Sequence, residues 1–317
     1  MRRPALHLAA AMLAVSIAPA HAAMFRLAPG GAAIGALGSY TTRARDTFPD
    51  IARRYDLGYT QLVAANRRTN PWLPGQGTRI VLPSFYLLPD APRRGIVVNL
   101  AAQRLYYFPP DSGVVETFPI GIGVEGWATP AGVTRVVAKV KDPTWYPPRS
   151  IRAQQPGLPR AIPPGPDDPL GAYALRLGWS DYLIHGTNKP DGVGRRVSHG
   201  CLHLYPADIK ELFDEVPIGT PVRVVDQRVE TGWIDGQLYV AVHPSVAMAD
   251  ALDLGATVTP EPPPELMARV AAAAGSASGN VDWAMVQRIG LAATGIPTPV
   301  LTHTAPLLVN RTRAGTR

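Results

Sequence analysis

Apolar runs of strand length dominate the middle of the chain, whereas the segments on either side have helical patterns. Between residues 94 and 226 these short runs recur between turns. A proline-rich stretch over 142–170 interrupts them, and 208–215 is the one clear helix. We expect a mainly β domain with short helices, a β-sandwich or barrel-like sheet carrying one long functional loop. The predicted strands cover 96–100, 105–108, 116–122, 133–140, 182–185 and 222–225.

Residues 39–83 have a different pattern, with two short amphipathic helices between two strands. Thr47 and Asp50 form a capping box at the start of the first helix. A second helix is predicted over 59–66 and a strand over 78–82. The predicted order is strand, helix, helix, strand, which suits a small separate domain.

The first 22 residues have the features of a secretory signal peptide. Two arginines precede an uncharged run over 5–18, and Ala20 and Ala22 occupy the small positions that signal peptidase reads. That run is shorter than the roughly 20 residues needed to span a bilayer. We expect cleavage after Ala22, export without stable membrane insertion, and a glycine- and alanine-rich linker over 23–38.

The carboxy-terminal extension, residues 227–317, predicts a hairpin through Asp235 and Gly236, followed by alanine-rich helices. An amphipathic helix is predicted over 281–291, either docked on the β-rich segment or covering its cleft. The end of the chain, from about 305, is expected to be disordered. The apolar face of that helix would hold Trp283, Val286 and Ile289.

The composition excludes some classes of protein. A single Cys rules out an intrachain disulfide and a cysteine-rich zinc module. The formal net charge of +7 favours an anionic partner. Nucleic acid is not the expected partner, because the signal peptide directs the protein out of the cytoplasm.

Chemistry is concentrated in residues 184–204, which contain three of the seven histidines and the only cysteine. A cysteine nucleophile needs a base, a group that orients the base, and N–H donors for the oxyanion. Gly200 allows an unusual turn that lets N–H groups near Cys201 converge. His185 ends a predicted strand, and it can serve as the base if the fold returns it to Cys201.

Three other interpretations compete with nucleophilic catalysis. Cys201 could be a small buried core residue, or a redox-sensing thiol, although no second cysteine could resolve it. A zinc site is the third possibility. Its ligands would be His185, His199, Cys201 and His203.

The segment resembles the signature of the L,D-transpeptidase catalytic domain, the YkuD-type domain, in its Gram-negative periplasmic branch. That signature is a histidine, a spacer and then Ser/Thr-His-Gly-Cys. Residues 39–83 are similar to a LysM repeat, which implies binding to peptidoglycan glycan. The matching pieces are Ile184-His185-Gly186-Thr187-Asn188, Ser198-His199-Gly200-Cys201 and Leu204-Tyr205-Pro206-Ala207-Asp208-Ile209, and for LysM Asp46-Thr47-Phe48, Ile51-Ala52-Arg53-Arg54-Tyr55, Leu62-Val63-Ala64-Ala65-Asn66 and Ile80-Val81-Leu82-Pro83.

The resemblance implies a role for each residue of the signature. Cys201 is the nucleophile, and His185 is its base, oriented by the backbone carbonyl of Gly186. Ser198 holds the loop by hydrogen bonding, and His199 supports the substrate and the local turn. The oxyanion hole consists of the backbone N–H groups of His199, Gly200 and Cys201.

Four further residues are candidates for substrate binding. Arg196 could pair with a substrate carboxylate or lie on the loop surface, and Tyr182 and Trp145 could line the donor groove or pack in the core. His203 stands where close relatives carry Arg and other members Asn. Because neutral His cannot form the bidentate carboxylate contact of Arg, recognition of the substrate end is in doubt.

The resemblance implies a periplasmic peptidoglycan L,D-transpeptidase without a metal or organic cofactor, inactivated by carbapenems. Its partners would be peptidoglycan stem peptides and glycan. The thioester on Cys201 would pass to a diaminopimelate amine of another stem or to the terminal Lys of an outer-membrane lipoprotein. An L,D-carboxypeptidase or lipoprotein-releasing hydrolase, with water as acceptor, is the first alternative. A non-catalytic wall-binding protein is the second.

Overall fold

A computed structural model describes residues 23–124 and 126–302. The predicted signal peptide, 1–22, and the predicted disordered end, from 305, lie outside the described residues. Within the described ranges, no helix is both long and apolar enough to cross a membrane.

The amino-terminal part of the described chain contains the predicted strand, helix, helix, strand order. Strand β3 pairs antiparallel with β4, and α1 and α2 lie between them. Thr47 Oγ1 accepts the Asp50 N–H at 3.3 Å and caps α1. The elements are β1 (Ala23–Arg26), β2 (Ala33–Gly35), β3 (Gly38–Thr41), α1 (Phe48–Arg54), α2 (Tyr59–Ala65), β4 (Arg79–Leu82) and β5 (Phe85–Leu87).

The prediction of a linker over 23–38 is wrong. Strand β1 pairs with β8 (Val114–Pro119) at the edge of the large sheet, and β2 pairs with β5. Strands of four and three residues contain too few positions to display a period of two. The burial of Ile34, at 4% exposure, shows that this segment contributes to the core.

The central segment forms a mainly β domain around a nine-stranded sheet, in the order β1-β8-β7-β6-β15-β10-β11-β12-β14. The predicted strand over 116–122 is two strands, because β8 ends at Pro119 and β9 begins at Ile122. The elements are β6 (Gly95–Asn99), β7 (Arg104–Phe108), β8 (Val114–Pro119), β9 (Ile122–Gly123), β10 (Gly132–Lys141), α3 (Arg149–Gln154), β11 (Tyr173–Leu177), β12 (Leu183–His185), a 3-10 helix (Pro190–Gly192), β13 (Arg196–Ser198), β14 (Leu202–His203), α4 (Pro206–Glu215) and β15 (Pro221–Val225).

The core of this domain lies between the sheet and helix α4. Ile209 and Leu212 of α4 are buried against apolar side chains of the strands, among them Ile184 of β12. A buried aliphatic side chain of this kind contributes roughly 1.5–3 kcal/mol. Helix α4 packs on β11, the strand next to β12 in the sheet.

The carboxy-terminal segment folds around its own core. Asp235 and Gly236 both have positive φ, +47° and +75°, as a two-residue type I′ hairpin requires, and the predicted hairpin is present. Helix α7 packs on β17 and α6 and not over the cleft, with Val286 and Ile289 buried. The elements are β16 (Val229–Ile234), β17 (Gln237–Val242), α5 (Val246–Asp253), α6 (Leu266–Ala274), a 3-10 helix (Gly275–Asn280), α7 (Trp283–Ala292) and β18 (Thr298–Pro299).

Helix α5 connects the three parts. Its Leu252 is buried in the core of the strand–helix–helix–strand unit, next to α2. Its acidic residues face the segment that leads into Ser198-His199-Gly200-Cys201. The carboxy-terminal segment therefore contacts both the amino-terminal unit and the candidate site.

Candidate active site

Two parallel strands bring His185 back to the cysteine motif. In β12 and β14, Ile184 lies beside Leu202 and His185 beside His203. Cys201 comes directly before β14, so it lies next to β12 at the end where Leu183 stands. The fold thus places the two residues on neighbouring parallel segments.

Two backbone carbonyls orient the His185 imidazole. Its Nδ1 lies 2.6 Å from the carbonyl oxygen of Gly186, and the backbone of Leu170, at the end of the proline-rich loop, is a second partner. A carbonyl can only accept, so Nδ1 carries the proton and Nε2 keeps its lone pair. Burial, with His203 as a second cause, lowers the pKa of His185 to about 3. The ring is therefore neutral at neutral pH and able to accept a proton.

Cys201 is half-buried, and its thiol is protonated at rest. The Sγ lies 3.6 Å from the backbone oxygen of Asp181. Burial raises the pKa of the thiol from 9.0, and a backbone hydrogen bond with Leu183 opposes this increase. A neutral thiol has to lose its proton to act as a nucleophile, so a base would be needed for that role.

Ser198 holds the turn that contains the cysteine. Its Oγ donates to the Cys201 carbonyl at 2.6 Å and accepts the Gly200 N–H at 3.2 Å. The N–H of Gly200, which is predicted to contribute to the oxyanion hole, donates to Ser198 Oγ in this structure. The N–H groups of His199 and Cys201 donate to no described residue.

Arg196 is not free to bind a substrate carboxylate. Its Nε lies 3.2 Å from Asp250 Oδ1 of α5, and the side chain is only 13% exposed. The neighbouring Arg195 pairs with Asp253 at 2.5 Å and covers the ring of Tyr59. In this structure Arg196 joins β13 to α5, a position that is neither an open substrate groove nor an exposed loop surface.

His203 is buried at 5% exposure and does not line an open groove. Its ring lies against Gly121, and the backbone of Gly192 is its hydrogen-bond partner. The ring stacks on His185 with centroids 6.2 Å apart, and burial lowers the pKa of His203 to about 4. This buried position behind His185 does not favour the predicted direct contact between His203 and substrate.

The two aromatic candidates have different surroundings. Tyr182 packs on the core and lies against Gly200, next to the nucleophile. Trp145 forms a bridge with Ile162 inside the proline-rich loop, and no described contact joins it to Cys201. The structure brings only Tyr182 to the site.

The zinc interpretation is not supported by the geometry. Among the residues that the structure describes, the ligand atoms of His185, His199, Cys201 and His203 do not converge on one point. Nδ1 of His185 is hydrogen-bonded to Gly186, and His203 is bound to Gly192.

Sequence reasoning missed two residues in the loop after β9. The ring centroid of Trp127 lies 5.2 Å from that of His199. Thr129 Oγ1 donates to the carbonyl of Gly200 at 2.9 Å. Neither residue belongs to a local pattern that indicates a site, because both reach it through tertiary packing.

The chain is similar to known L,D-transpeptidases. A family model described as the L,D-transpeptidase catalytic domain, YkuD, matches residues 93–224. The chain is 45% identical over 210 residues to "Probable L,D-transpeptidase ErfK/SrfK" of Escherichia coli strain K12, covering 64% of this chain and 66% of that protein. It is 39% identical over 245 residues to "Probable L,D-transpeptidase YcfS" of the same strain, covering 74% and 76%.

Among solved structures, the chain is similar to the catalytic domain of an Enterococcus faecium L,D-transpeptidase determined by NMR. The sequence identity is 29% and the TM-score 0.34, covering 43% of this chain and 100% of that domain.

Proposed function

This chain belongs to the YkuD family of L,D-transpeptidases, and from that premise we propose that it crosslinks peptidoglycan stem peptides through a thioester on Cys201. The observation that carries the proposal is the pairing of β12 with β14. It sets a neutral His185, with its Nε2 lone pair free, beside the strand that Cys201 precedes. The same arrangement favours acyl transfer by Cys201 on peptidoglycan over a purely structural role of its thiol.

In the first half of the reaction, His185 Nε2 accepts the Cys201 proton as Sγ attacks the carbonyl of the third stem residue. The tetrahedral oxyanion is stabilised by N–H groups of the turn, for which Cys201 and His199 are the available donors. The intermediate collapses, and the bond to the terminal D-Ala breaks. The protonated His185 gives its proton to the leaving amine, and an acyl-thioester remains.

In the second half, an acceptor amine attacks the thioester and loses its proton to His185. The sulfur leaves and recovers the proton, which restores the starting state. A diaminopimelate side chain as acceptor gives a 3→3 crosslink, and a lipoprotein Lys gives an anchored lipoprotein. Water as acceptor would make the protein a carboxypeptidase, or a hydrolase that releases lipoprotein.

The strand–helix–helix–strand unit is proposed to bind wall glycan and to hold the enzyme at its insoluble substrate. It contains seven arginines and three aspartates. Trp72 is half exposed on its surface, as a sugar-stacking residue would need to be. The N–H of Thr60, at the start of α2, donates to the carbonyl of Gly194 at 3.0 Å, so the unit is docked directly on the loop that precedes Arg195. The proposed compartment is the periplasm.

The test is mass spectrometry of disaccharide-tetrapeptide muropeptides incubated with the purified protein and with Cys201→Ala. A dimer that has lost one D-Ala, formed only by the wild type, is expected. Tripeptide alone would assign water as acceptor, unless adding a lipoprotein carboxy-terminal peptide diverts the product to a conjugate. Unchanged tetrapeptide with folded wild-type protein would overturn the proposal.

Glycan binding needs a separate measurement, since a wall-binding protein without activity would pass a binding test. Cosedimentation with insoluble peptidoglycan is expected to weaken several-fold in Trp72→Ala and to persist in Cys201→Ala. Trp233→Ala is a matched control, because Trp233 is 42% exposed on the hairpin of the carboxy-terminal segment.

A further inference from the structure

Hydroxyl groups hold both carbonyls that flank the nucleophile. Ser198 Oγ donates to the carbonyl of Cys201, and Thr129 Oγ1 donates to the carbonyl of Gly200 at 2.9 Å. Ser198 is part of the signature motif, whereas Thr129 reaches the turn from 71 residues earlier in the chain. Thr129 is 7% exposed, so it offers almost no surface for contact with a substrate.

The Thr129 hydroxyl has a fixed direction. Its oxygen accepts the N–H of Gly123 at 3.4 Å, and its hydrogen goes to the Gly200 carbonyl, which can only accept. A β-branched threonine has few χ1 rotamers, so the hydroxyl is held with little loss of side-chain entropy. Thr129 therefore joins β9 to the turn before the nucleophile.

This contact determines where the Cys201 N–H points. In a trans peptide the C=O of Gly200 and the N–H of Cys201 lie in one plane and point in opposite directions. With the carbonyl bound to Thr129, the N–H is directed the other way, and it donates to no described residue. It is thus left available for an oxygen atom on a substrate.

The peptide needs such a restraint because Gly200 is conformationally free. Its φ is +102°, and without a Cβ the following peptide plane can rotate at low energetic cost. A Cβ at Gly200 would lie 3.0 Å from Tyr182 Cε1 and 3.4 Å from the carbonyl oxygen of Trp127, so a larger residue could not supply the rigidity.

We infer that Thr129 is a positioning residue that sets the plane of the Gly200–Cys201 peptide and so aims the Cys201 N–H at the oxyanion. The inference rests on the proposed acyl transfer for its biological meaning. It predicts that Thr129 affects only reactions in which a negatively charged oxygen develops beside Cys201. Alkylation of the thiol develops no such oxygen.

The experiment compares two reactions of Cys201 in the full chain, acylation by 4-nitrophenyl acetate and alkylation by iodoacetamide. In Thr129→Val we expect acylation to fall about 10- to 100-fold, in keeping with the effect of weakening one oxyanion donor. Alkylation should change less than about twofold, since it needs the thiol but no oxyanion. Thr129→Ser keeps the hydroxyl and should restore most of the acylation rate.

Thr117→Val is the matched control. Thr117 is also buried, and its Oγ1 donates to the backbone carbonyl of Leu105 in the neighbouring strand β7 at 3.0 Å. It should lower thermal stability without changing the ratio of acylation to alkylation. The ratio of acylation to alkylation is measured with small reagents and does not depend on muropeptide turnover. Failure of the proposed function and failure of this inference therefore give different results.

Three outcomes would overturn the inference. Acylation of Thr129→Val at the wild-type rate would show that the peptide plane needs no hydroxyl. An equal fall in acylation and alkylation would show that the variant displaces the thiol instead of the N–H. Wild-type acylation no faster than the Cys201→Ala background would show that the N–H assists no acyl transfer.

Discussion

Arg196 Nε lies 3.2 Å from Asp250 Oδ1, so the strand that enters the cysteine motif is tied to a helix of the carboxy-terminal segment. A second pair, Arg195 with Asp253, lies beside the first. Strand β13, which pairs with β9, thus has an additional ionic support from α5. The carboxy-terminal segment has a core of its own, and it also contributes to the framework of the site.

Asp250→Asn combined with Asp253→Asn should destabilise the protein and slow acylation of Cys201. Both arginines would remain partly buried without a counter-charge, which we expect to lower the free energy of unfolding by roughly 1–2 kcal/mol. Urea denaturation and acylation by a carbapenem measure the two effects. Asp214→Asn breaks the exposed pair with Lys210 and should leave the urea midpoint unchanged. Identical midpoints for all three proteins would contradict the support role.

Acylation of Cys201 should show no inflection near pH 6.5. The pKa of His185 is about 3, because burial and the adjacent His203 disfavour the imidazolium, so the base is already neutral at pH 5. The pKa of the thiol is raised from 9.0. A general-base reaction between these limits is expected to vary less than about twofold from pH 5 to pH 7. The measurement is the carbapenem acylation rate at each pH, with circular dichroism to confirm folding. A fall in rate centred near 6.5 would contradict a neutral buried His185.

Glu116→Gln should make the protein less sensitive to rising pH. Glu116 is buried, and burial together with Glu215 and Glu211 raises its pKa from 4.5 to about 8. The folded protein keeps the Glu116 proton, whereas the unfolded chain releases it above about pH 4.5. Protonation of Glu116 therefore contributes to the stability of the folded protein at low pH, and this contribution is lost as pH rises through about 8.

The melting temperature reports this difference. From pH 5 to pH 8 the wild type should lose more thermal stability than Glu116→Gln, whose amide stays neutral at both values. Glu261→Gln, at an exposed position, should follow the wild type. Parallel pH dependences in the wild type and Glu116→Gln would show that the carboxyl is ionised in the folded protein.

Features with a local cause were predictable from the sequence. The hairpin follows from Asp235 and Gly236, which tolerate positive φ. The cap of α1 follows from Thr47 and Asp50 within one turn. His185 could be predicted as the base because its spacing from Ser198-His199-Gly200-Cys201 resembles the family signature. The spacing alone does not place His185 beside β14.

Features created by long-range packing were not predictable. The partner of Arg196 stands on α5, in a segment whose position relative to β13 no local pattern reveals. The sequence around Thr129 does not indicate a site, because its contacts with Gly123 of β9 and with Gly200 form only in the folded chain. His203 had the periodicity of a residue on the same face as Cys201, but the space that buries its ring is made by two distant glycines, Gly121 and Gly192.

Gly121 provides a direct test of that buried position. A Cβ on Gly121 would lie 2.0 Å from His203 Cε1 and 2.7 Å from the carbonyl oxygen of Gly192. Gly121→Ala should therefore force the His203 ring away from His185 and destabilise the protein by about 1–3 kcal/mol, the usual effect of overpacking. Gly157→Ala is a matched control, since that position has open space and no positive φ.

The double variant Gly121→Ala with His203→Ala separates a specific clash from general strain. Removing the imidazole makes room for the new methyl group, although the contact with Gly192 remains, so the rescue should be partial. The double variant should lose less free energy of unfolding than the two single variants lose together. The difference should be about 1 kcal/mol or more, as expected for residues in contact. Strict additivity in urea denaturation would contradict the packing of His203 against Gly121. It would also remove the reason to regard His203 as a support behind the ring of His185.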